Sequence, residues 1–171
     1  MDRRAIYVII GIIILGGIFW KKEAVMIELK KLADSSLKLI AQFEGFSAHP
    51  YADAQGYSVG FGHFILPSDN FEYPMSKKTA YSLLSSDAAL AAQVVRDNVI
   101  VPLTQNQFDA IVSLTYNIGS GAFSSSTLLK KLNAGDYSGA ASQFKVWRKS
   151  QGQVLPALVA RRADEERIFL S

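Results

Sequence analysis

The strongest local constraint on this chain is the run YSVGFGH at residues 57–63, in which bulky and small residues alternate. Alternate side chains of a β-strand point to opposite faces. One face is therefore expected to carry the bulky residues Tyr57, Val59 and Phe61. The other is expected to carry the small residues Ser58, Gly60 and Gly62. Glycine inside a strand weakens it and often marks the close approach of a ligand. The run predicts a hairpin over about residues 51–66, with a bare face suited to a flat, polar, extended ligand such as a sugar chain.

Two acidic residues precede this run and could supply acid–base chemistry beside it. Glu44 shares one helical stripe with Leu37, Ile40 and Ala41 and lies in the last turn of its predicted helix. An apolar neighbourhood and the negative end of a helix dipole both favour the protonated form, which a general acid needs. Asp53 follows nine residues later, directly before a predicted turn. Taken alone, Glu44 could end a helix in solvent and Asp53 could only form the turn.

Two carboxylates beside a glycan-sized surface indicate glycoside hydrolysis. One acid would protonate the leaving oxygen, and the other would act on a water molecule or on the developing positive charge. The chain has no cysteine, which excludes disulfides, cysteine nucleophiles and thiolate metal sites. Neither His49 nor His63 has a neighbour at metal-ligand spacing, so no metal and no cofactor are expected.

The rest of the chain after residue 36 has the pattern of successive capped helices. Start signals stand at Ser76, at the T-x-x-Q pair Thr104 and Gln107, at Asp136 and at Pro156. Stop signals stand at Gly45, Gly119 and Gly135. The expected fold class is α+β, mainly helical with one small antiparallel sheet near its start.

The N-terminal segment AIYVIIGIIILGGIFW, residues 5–20, is uncharged and has basic residues on both sides. Its sixteen residues fall slightly below the usual transmembrane length of about 20, with about 17 at the lower end. Flanking Arg and Lys side chains and Trp20 can extend it. No A-x-A-like cleavage site follows, which disfavours a cleaved signal peptide. We therefore expect an uncleaved membrane anchor at 1–22, a charged juxtamembrane helix or linker at 23–35 and a globular domain at 36–171.

The charge pattern weakly favours an anionic partner. The formal net charge is +3, and the densest basic cluster, residues 21–31, lies beside the apolar segment. This arrangement favours lipid headgroups over nucleic acid, so residues 5–20 are expected to bind a lipid membrane and no nucleic-acid partner is expected.

The stretch FEGFSAHPYADAQGYSVGFGH, residues 43–63, resembles the catalytic segment of phage-type lysozymes, glycoside hydrolase family 24. QNQFDAIVSLTYNIGSGAF is similar to a helix end of that family, and LVARRADEERIFL resembles its C-terminal close. The match runs through residues 36–171 in consistent order. It implies a lysozyme-like fold and an N-acetylmuramidase that cleaves the β-1,4 bond between N-acetylmuramic acid and N-acetylglucosamine in peptidoglycan glycan strands.

The resemblance also implies roles for individual residues. Glu44 would be the general acid, and Asp53 would position or activate the water. Ser58 takes the place that the family usually gives to threonine, and it keeps the hydroxyl. The residues expected to line the glycan site are Tyr57, Gly60, His63, Asn117 and Arg161. His63 could instead be a structural ion-pair partner, Asn117 could satisfy a helix end, and either Arg161 or Arg162 could pair with Glu44.

Two questions of function stay open at this point. The lysine-rich flank after residue 20 predicts a cytoplasmic domain, whereas a muramidase needs the periplasm. The expected location is therefore the host inner membrane with the domain in the periplasm, or alternatively the virion membrane. A lytic transglycosylase acting on the same bond and a non-catalytic virion or wall-binding protein are the alternative functions.

Overall fold

The computed structural model describes residues 7–8, 25–26, 32–53 and 56–171, with the backbone alone at residues 7–8, 25–26 and 53. The helices are α1 (Asp34–Glu44), α2 (Lys77–Asn98), α3 (Gln105–Ile118), α4 (Ser120–Ser124), α5 (Thr127–Asn133), α6 (Tyr137–Ala141) and α7 (Pro156–Phe169). The strands are β1 (Tyr7–Val8), β2 (Val25–Met26), β3 (Ser47–Asp53), β4 (Gly56–Gly60), β5 (His63–Phe64), β6 (Lys149–Ser150) and β7 (Gln153–Val154). A 3₁₀ helix spans Phe144–Val146. The predicted α+β class, mainly helical with a small antiparallel sheet, is confirmed.

Most helix boundaries follow the predicted caps. The Ser76 hydroxyl accepts the backbone N–H of Thr79 at 3.1 Å and starts α2. Thr104 and Gln107 form the expected capping box at the start of α3. Asp136 also starts a helix as predicted, but this helix, α6, is short: it ends at Ala141 and a 3₁₀ helix follows. The β6–β7 hairpin was not predicted.

Antiparallel strands β3, β4 and β5 form the small sheet next to α2. Tyr51 of β3 pairs with Ser58 of β4, which in turn pairs with Phe64 of β5. The predicted location of the hairpin is confirmed. The sheet begins earlier than expected, at Ser47, with an irregular register between Ser47 and Tyr51.

The small face of β4, which was expected to meet a ligand, is instead buried. Tyr57 is 61% exposed, whereas the Ser58 side chain is fully buried. Gly60 has a φ of +69°, and a Cβ there would lie 3.1 Å from the Cβ of Ala80 on α2. The positive φ ends the strand at Gly60, so the alternation does not continue into Phe61. Gly60 is therefore small because helix α2 packs against it, and not because a ligand approaches it.

Helix α3 forms the centre of the core, where Phe108, Ile111 and Leu114 are almost completely buried. It also carries a stripe of polar residues at i, i+4, i+8 and i+12, which are Gln105, Asp109, Ser113 and Asn117. In the N-terminal half of α3, the Ser36 hydroxyl of α1 donates to Asp109 Oδ1 of this stripe at 2.5 Å. This buried contact fixes α1, the helix that ends in Glu44, against α3.

The predicted N-terminal segments lie largely outside the described residues. Of the predicted anchor at 1–22, the structure describes Tyr7 and Val8, which pair with Met26 and Val25 in a two-stranded antiparallel sheet. The rest of the predicted anchor and most of the juxtamembrane segment lie outside the described residues. Within the ranges that the structure describes, none of the helices combines the length and apolarity needed to cross a membrane.

Substitution of Gly60 tests the packing of the sheet on α2. Gly60→Ala adds a methyl group against Ala80 in a left-handed backbone conformation. We expect it to lower the free energy of unfolding by about 2 kcal/mol or more. Gly121→Ala is the control, because a Cβ at Gly121 meets nothing within 4 Å. Urea unfolding of both variants checks the prediction, and similar stabilities for the two would contradict it.

Candidate active site

Glu44 is the last residue of α1, and the start of the sheet follows it closely. Gly45 ends the helix with a φ of +71° and donates its backbone N–H to the carbonyl of Ala41. The apolar stripe predicted for α1 is present, with Ile40 and Ala41 buried. The Glu44 side chain is 23% exposed. Its carboxylate therefore lies at the boundary between the core and solvent, where a substrate could reach it.

Arg161 of α7 is the main charged partner of Glu44. Its Nη1 donates to Glu44 Oε1 at 2.7 Å. Its Nε donates to Glu165 Oε1 at 3.1 Å, and its Nη2 donates to the Ser113 carbonyl at 3.2 Å. The guanidinium also lies over the Phe43 ring, 5.0 Å from its centroid. With its side chain only 5% exposed, Arg161 is held by all three guanidinium nitrogens.

Behind Arg161 lies a second layer of buried charge. Glu165 is fully buried, and its Oε1 accepts the Ser113 hydroxyl at 2.7 Å and Arg162 Nη2 at 3.2 Å. Arg162 Nε lies 2.9 Å from Glu165 Oε2 at an angle unsuited to a hydrogen bond, so this contact is a charge contact only. Burial raises the pKa of Glu165, against the opposing effect of Arg162, Arg161 and Ser113. Burial likewise lowers the pKa of Arg162 to about 10, while Glu165 acts to raise it.

The C-terminal end of α3 borders the same region. Asn117 is exposed, and its Oδ1 accepts Arg162 Nη2 at 3.1 Å. Tyr116 is half-buried. Burial raises the pKa of Tyr116, and the nearby carboxylates of Glu44 and Asp87 raise it further. The C-terminal end of α3 therefore lies near Glu44.

Gly62 lies where the sheet borders the site. A Cβ at this position would lie 3.6 Å from Glu44 Oε2 and 4.0 Å from the Tyr51 hydroxyl. Gly62 therefore places no side chain beside Oε2 of the carboxylate. Gly62, rather than Gly60, is the glycine that borders the Glu44 carboxylate.

Three further sheet residues that were predicted to belong to the site are Ser58, Tyr57 and Asp53, and each has a different environment. Ser58 is buried between its cross-strand partners Tyr51 and Phe64. Tyr57 pairs with Ala52 and so points to the opposite face from Ser58. Asp53 pairs with Gly56 at the end of β3, and its side chain lies outside what the structure describes.

His63 links three parts of the fold. Its Nδ1 lies 2.8 Å from Asp87 Oδ2 on α2, and its Nε2 lies 3.5 Å from Asp69 Oδ2. The ring packs edge-on against Phe71 at 5.7 Å. Since both ring nitrogens face carboxylates of the protein, these contacts favour the structural alternative over substrate binding. No group of three His, Asp or Glu side chains in the described ranges is arranged to hold a metal ion.

The structure thus brings Glu44, Arg161 and Asn117 into one network, and it sets Tyr57, Gly60 and His63 apart from that network. Sequence reasoning missed the contributions of Glu165, Ser113, Tyr51 and Tyr116. One signal was available for Ser113, because polar residues recur every four positions along α3. Such spacing in a helix that is otherwise apolar on that side predicts a buried polar contact with a neighbouring helix.

Comparisons with known proteins agree with this geometry. The phage lysozyme family model matches residues 41–165. An endolysin of Acyrthosiphon pisum secondary endosymbiont phage 1 is 39% identical over 145 residues, covering 82% of this chain and 98% of that protein. A SAR-endolysin of Enterobacteria phage P21 is 34% identical over 131 residues, covering 74% of this chain and 77% of that protein. The solved muramidase domain of SpmX from Asticaccaulis excentricus superposes with a TM-score of 0.75 at 35% identity, covering 82% of this chain and 98% of that domain. The chain belongs to the phage lysozyme family.

Proposed function

We propose that this protein cleaves the β-1,4 bond between N-acetylmuramic acid and N-acetylglucosamine, with Glu44 as the general acid. As a phage lysozyme with endolysin relatives, it is an enzyme that hydrolyses peptidoglycan for phage lysis. The observation that carries the assignment of Glu44 is that its Oε1 pairs with Arg161 while its Oε2 lies beside Gly62 on a side chain that is partly exposed. One carboxylate oxygen binds a fixed cation, and the other lies beside a residue without a side chain, where the glycan would bind.

The two oxygens of Glu44 suit the two stages of proton transfer. Oε2, on the side of Gly62, would deliver the proton to the bridging glycosidic oxygen, and the bond to the leaving sugar would break. The carboxylate that remains is stabilised by Arg161 Nη1, which already lies 2.7 Å from Oε1. Because Arg161 is fixed in advance, little reorganisation is needed when the charge forms.

Asp53 completes the proposed mechanism. It stands at the end of β3, where the pairing with Gly56 of β4 ends the hairpin. In the proposal its carboxylate positions or activates the attacking water, as the resemblance implies. The fully buried Ser58, on the central strand, would act by holding this part of the sheet rather than by exposing a hydroxyl to bulk solvent. Asn117 at the exposed end of α3 would contact the sugar substituents.

The proposal also gives the chain a membrane anchor. Residues 1–22 would anchor it in the host inner membrane, 23–35 would form the connection and 36–171 would be the periplasmic catalytic domain. Support comes from the uncharged run at 5–20 and from the relative named a SAR-endolysin. Gly11, Gly16 and Gly17 weaken a helix in this run, so the segment is proposed to leave the bilayer and release the enzyme.

Substitution of the general acid tests the catalytic assignment. We expect Glu44→Gln to lower the rate of peptidoglycan clearing by about 100-fold or more, because the amide has no proton to donate. Glu72→Gln is the control, since it makes the same chemical change at an exposed residue in the loop before α2. Turbidity assays on purified proteins of equal folded fraction check this prediction, and equal clearing by Glu44→Gln and the native protein would reject it.

The reaction products separate the two enzymatic alternatives. We expect mass spectrometry of digested peptidoglycan to show fragments with reducing ends, because hydrolysis adds water to the broken bond. A transglycosylase would instead form anhydro sugars without a positioned water. A digest dominated by anhydro products would replace the hydrolytic mechanism and would leave Glu44 as the acid.

Membrane extraction tests the anchor and its release. We expect the full-length protein to resist carbonate extraction early after induction and to become soluble later, before the cells lyse. The full-length chain with Gly11, Gly16 and Gly17 all changed to Leu is the comparison, because a more stable apolar helix should stay in the bilayer. Lysis by a protein that never becomes soluble would contradict the release step.

A further inference from the structure

Glu165 is a buried ionisable residue to which the mechanism above gives no part. It is fully buried on α7, one helical turn after Arg161. An ionised carboxylate in the core is costly unless it is paired and hydrogen-bonded. Glu165 meets this condition through three neighbours, which are Arg161, Arg162 and Ser113. These contacts stabilise the fold, and the question is whether they also position the Glu44 carboxylate at the surface.

The contacts of Arg161 connect Glu165 to Glu44. The guanidinium is planar, so fixing two of its nitrogens fixes the direction of the third. Nε is bound to Glu165 Oε1 at 3.1 Å, and Nη2 is bound to the Ser113 carbonyl at 3.2 Å. Nη1 is then aimed at Glu44 Oε1, 2.7 Å away. The orientation of the residue that contacts Glu44 is therefore set by Glu165 and by α3.

The same contacts set the balance of charge around Glu44. Arg161 is shared between the carboxylates of Glu44 and Glu165, and Arg162 contacts Glu165 on its other side. Without the charge of Glu165, both cations would remain, and Glu44 would be the remaining carboxylate bound to Arg161 among the described residues. That excess of positive charge would favour the ionised form of Glu44, whereas a general acid must hold its proton until the bond breaks.

We propose that Glu165 is a positioning residue for the reaction, which orients Arg161 toward Glu44 and offsets the positive charge of Arg161 and Arg162. This inference rests on the proposed role of Glu44 as general acid. The other ionisable and polar groups that face this cluster are Tyr116 and Asn117 of α3, Tyr51 of β3 and Asp87 of α2. All of them are retained when Glu165 alone is changed.

The test compares Glu165→Gln with the native full-length chain, purified in a mild detergent and assayed on soluble peptidoglycan glycan strands. We expect kcat to fall by about 10- to 100-fold, because a displaced guanidinium misplaces the acid. KM should stay within about twofold, because Glu165 does not touch the substrate. The alkaline limb of the kcat/KM profile should move to lower pH by about one unit, because a negative charge has been removed near Glu44.

Two further variants separate positioning from a purely structural role. Asp164→Asn also removes one negative charge from α7, but from an exposed ion pair in which Arg167 Nη2 lies 3.1 Å from Asp164 Oδ1. Its kcat and pH profile should match those of the native protein. Glu165→Asp keeps the charge but shortens the side chain. It should lower kcat without moving the alkaline limb. Thermal unfolding followed by circular dichroism gives the folded fraction of each variant at the assay temperature.

The results distinguish an error in the positioning role of Glu165 from an error in the general-acid role of Glu44. If Glu165→Gln keeps the native kcat and pH profile, or loses activity only in proportion to its unfolded fraction, the positioning role is wrong. If Glu165→Gln does not fold, Glu165→Asp carries the test, and a native kcat for that variant overturns the inference. If Glu44→Gln is as active as the native protein, the proposed general acid itself fails, whatever the result at residue 165.

Discussion

The guanidinium of Arg161 joins the two parts of this structure on which the site depends. On one side it contacts Glu44 at the end of α1, and on the other it contacts Glu165 and the backbone of α3. Removing one partner of a buried ion pair typically costs about 3–5 kcal/mol, because a charge is left without compensation in the core. The helices α1, α3 and α7 are therefore held in a single relative position, and the position of Glu44 follows from it.

The same polar stripe on α3 serves both the fold and the site. Asp109 fixes the start of α1 through Ser36, while Ser113 contacts Glu165 and Arg161 on α7. The apolar residues of α3 supply the driving force for burial, but they do not specify a unique register between helices. Directional hydrogen bonds at successive turns do specify it. This explains why a helix at the centre of the core carries so many polar side chains.

Local features of the fold were predictable from the sequence, and contacts between distant segments were not. The end of α1 at Gly45, the capping box at Thr104 and the start of α7 at Pro156 are each set by residues within one helical turn. The role of the small face of β4 was predicted wrongly, because Ser58 is fully buried and Gly60 packs against Ala80 of α2. The contact between Arg161 and Glu44 spans 117 positions, and only the resemblance to a known family indicated it.

A structure of the Glu44→Gln protein with a bound peptidoglycan oligosaccharide would test the central claim most directly. The account predicts a sugar chain beside Gly62, with one bridging oxygen within hydrogen-bond reach of the residue 44 side chain, about 2.6–3.2 Å. Arg161 should keep its contacts with Glu165 and Ser113 in that complex. An oligosaccharide bound elsewhere, or one whose bridging oxygens all lie beyond reach of residue 44, would contradict the account.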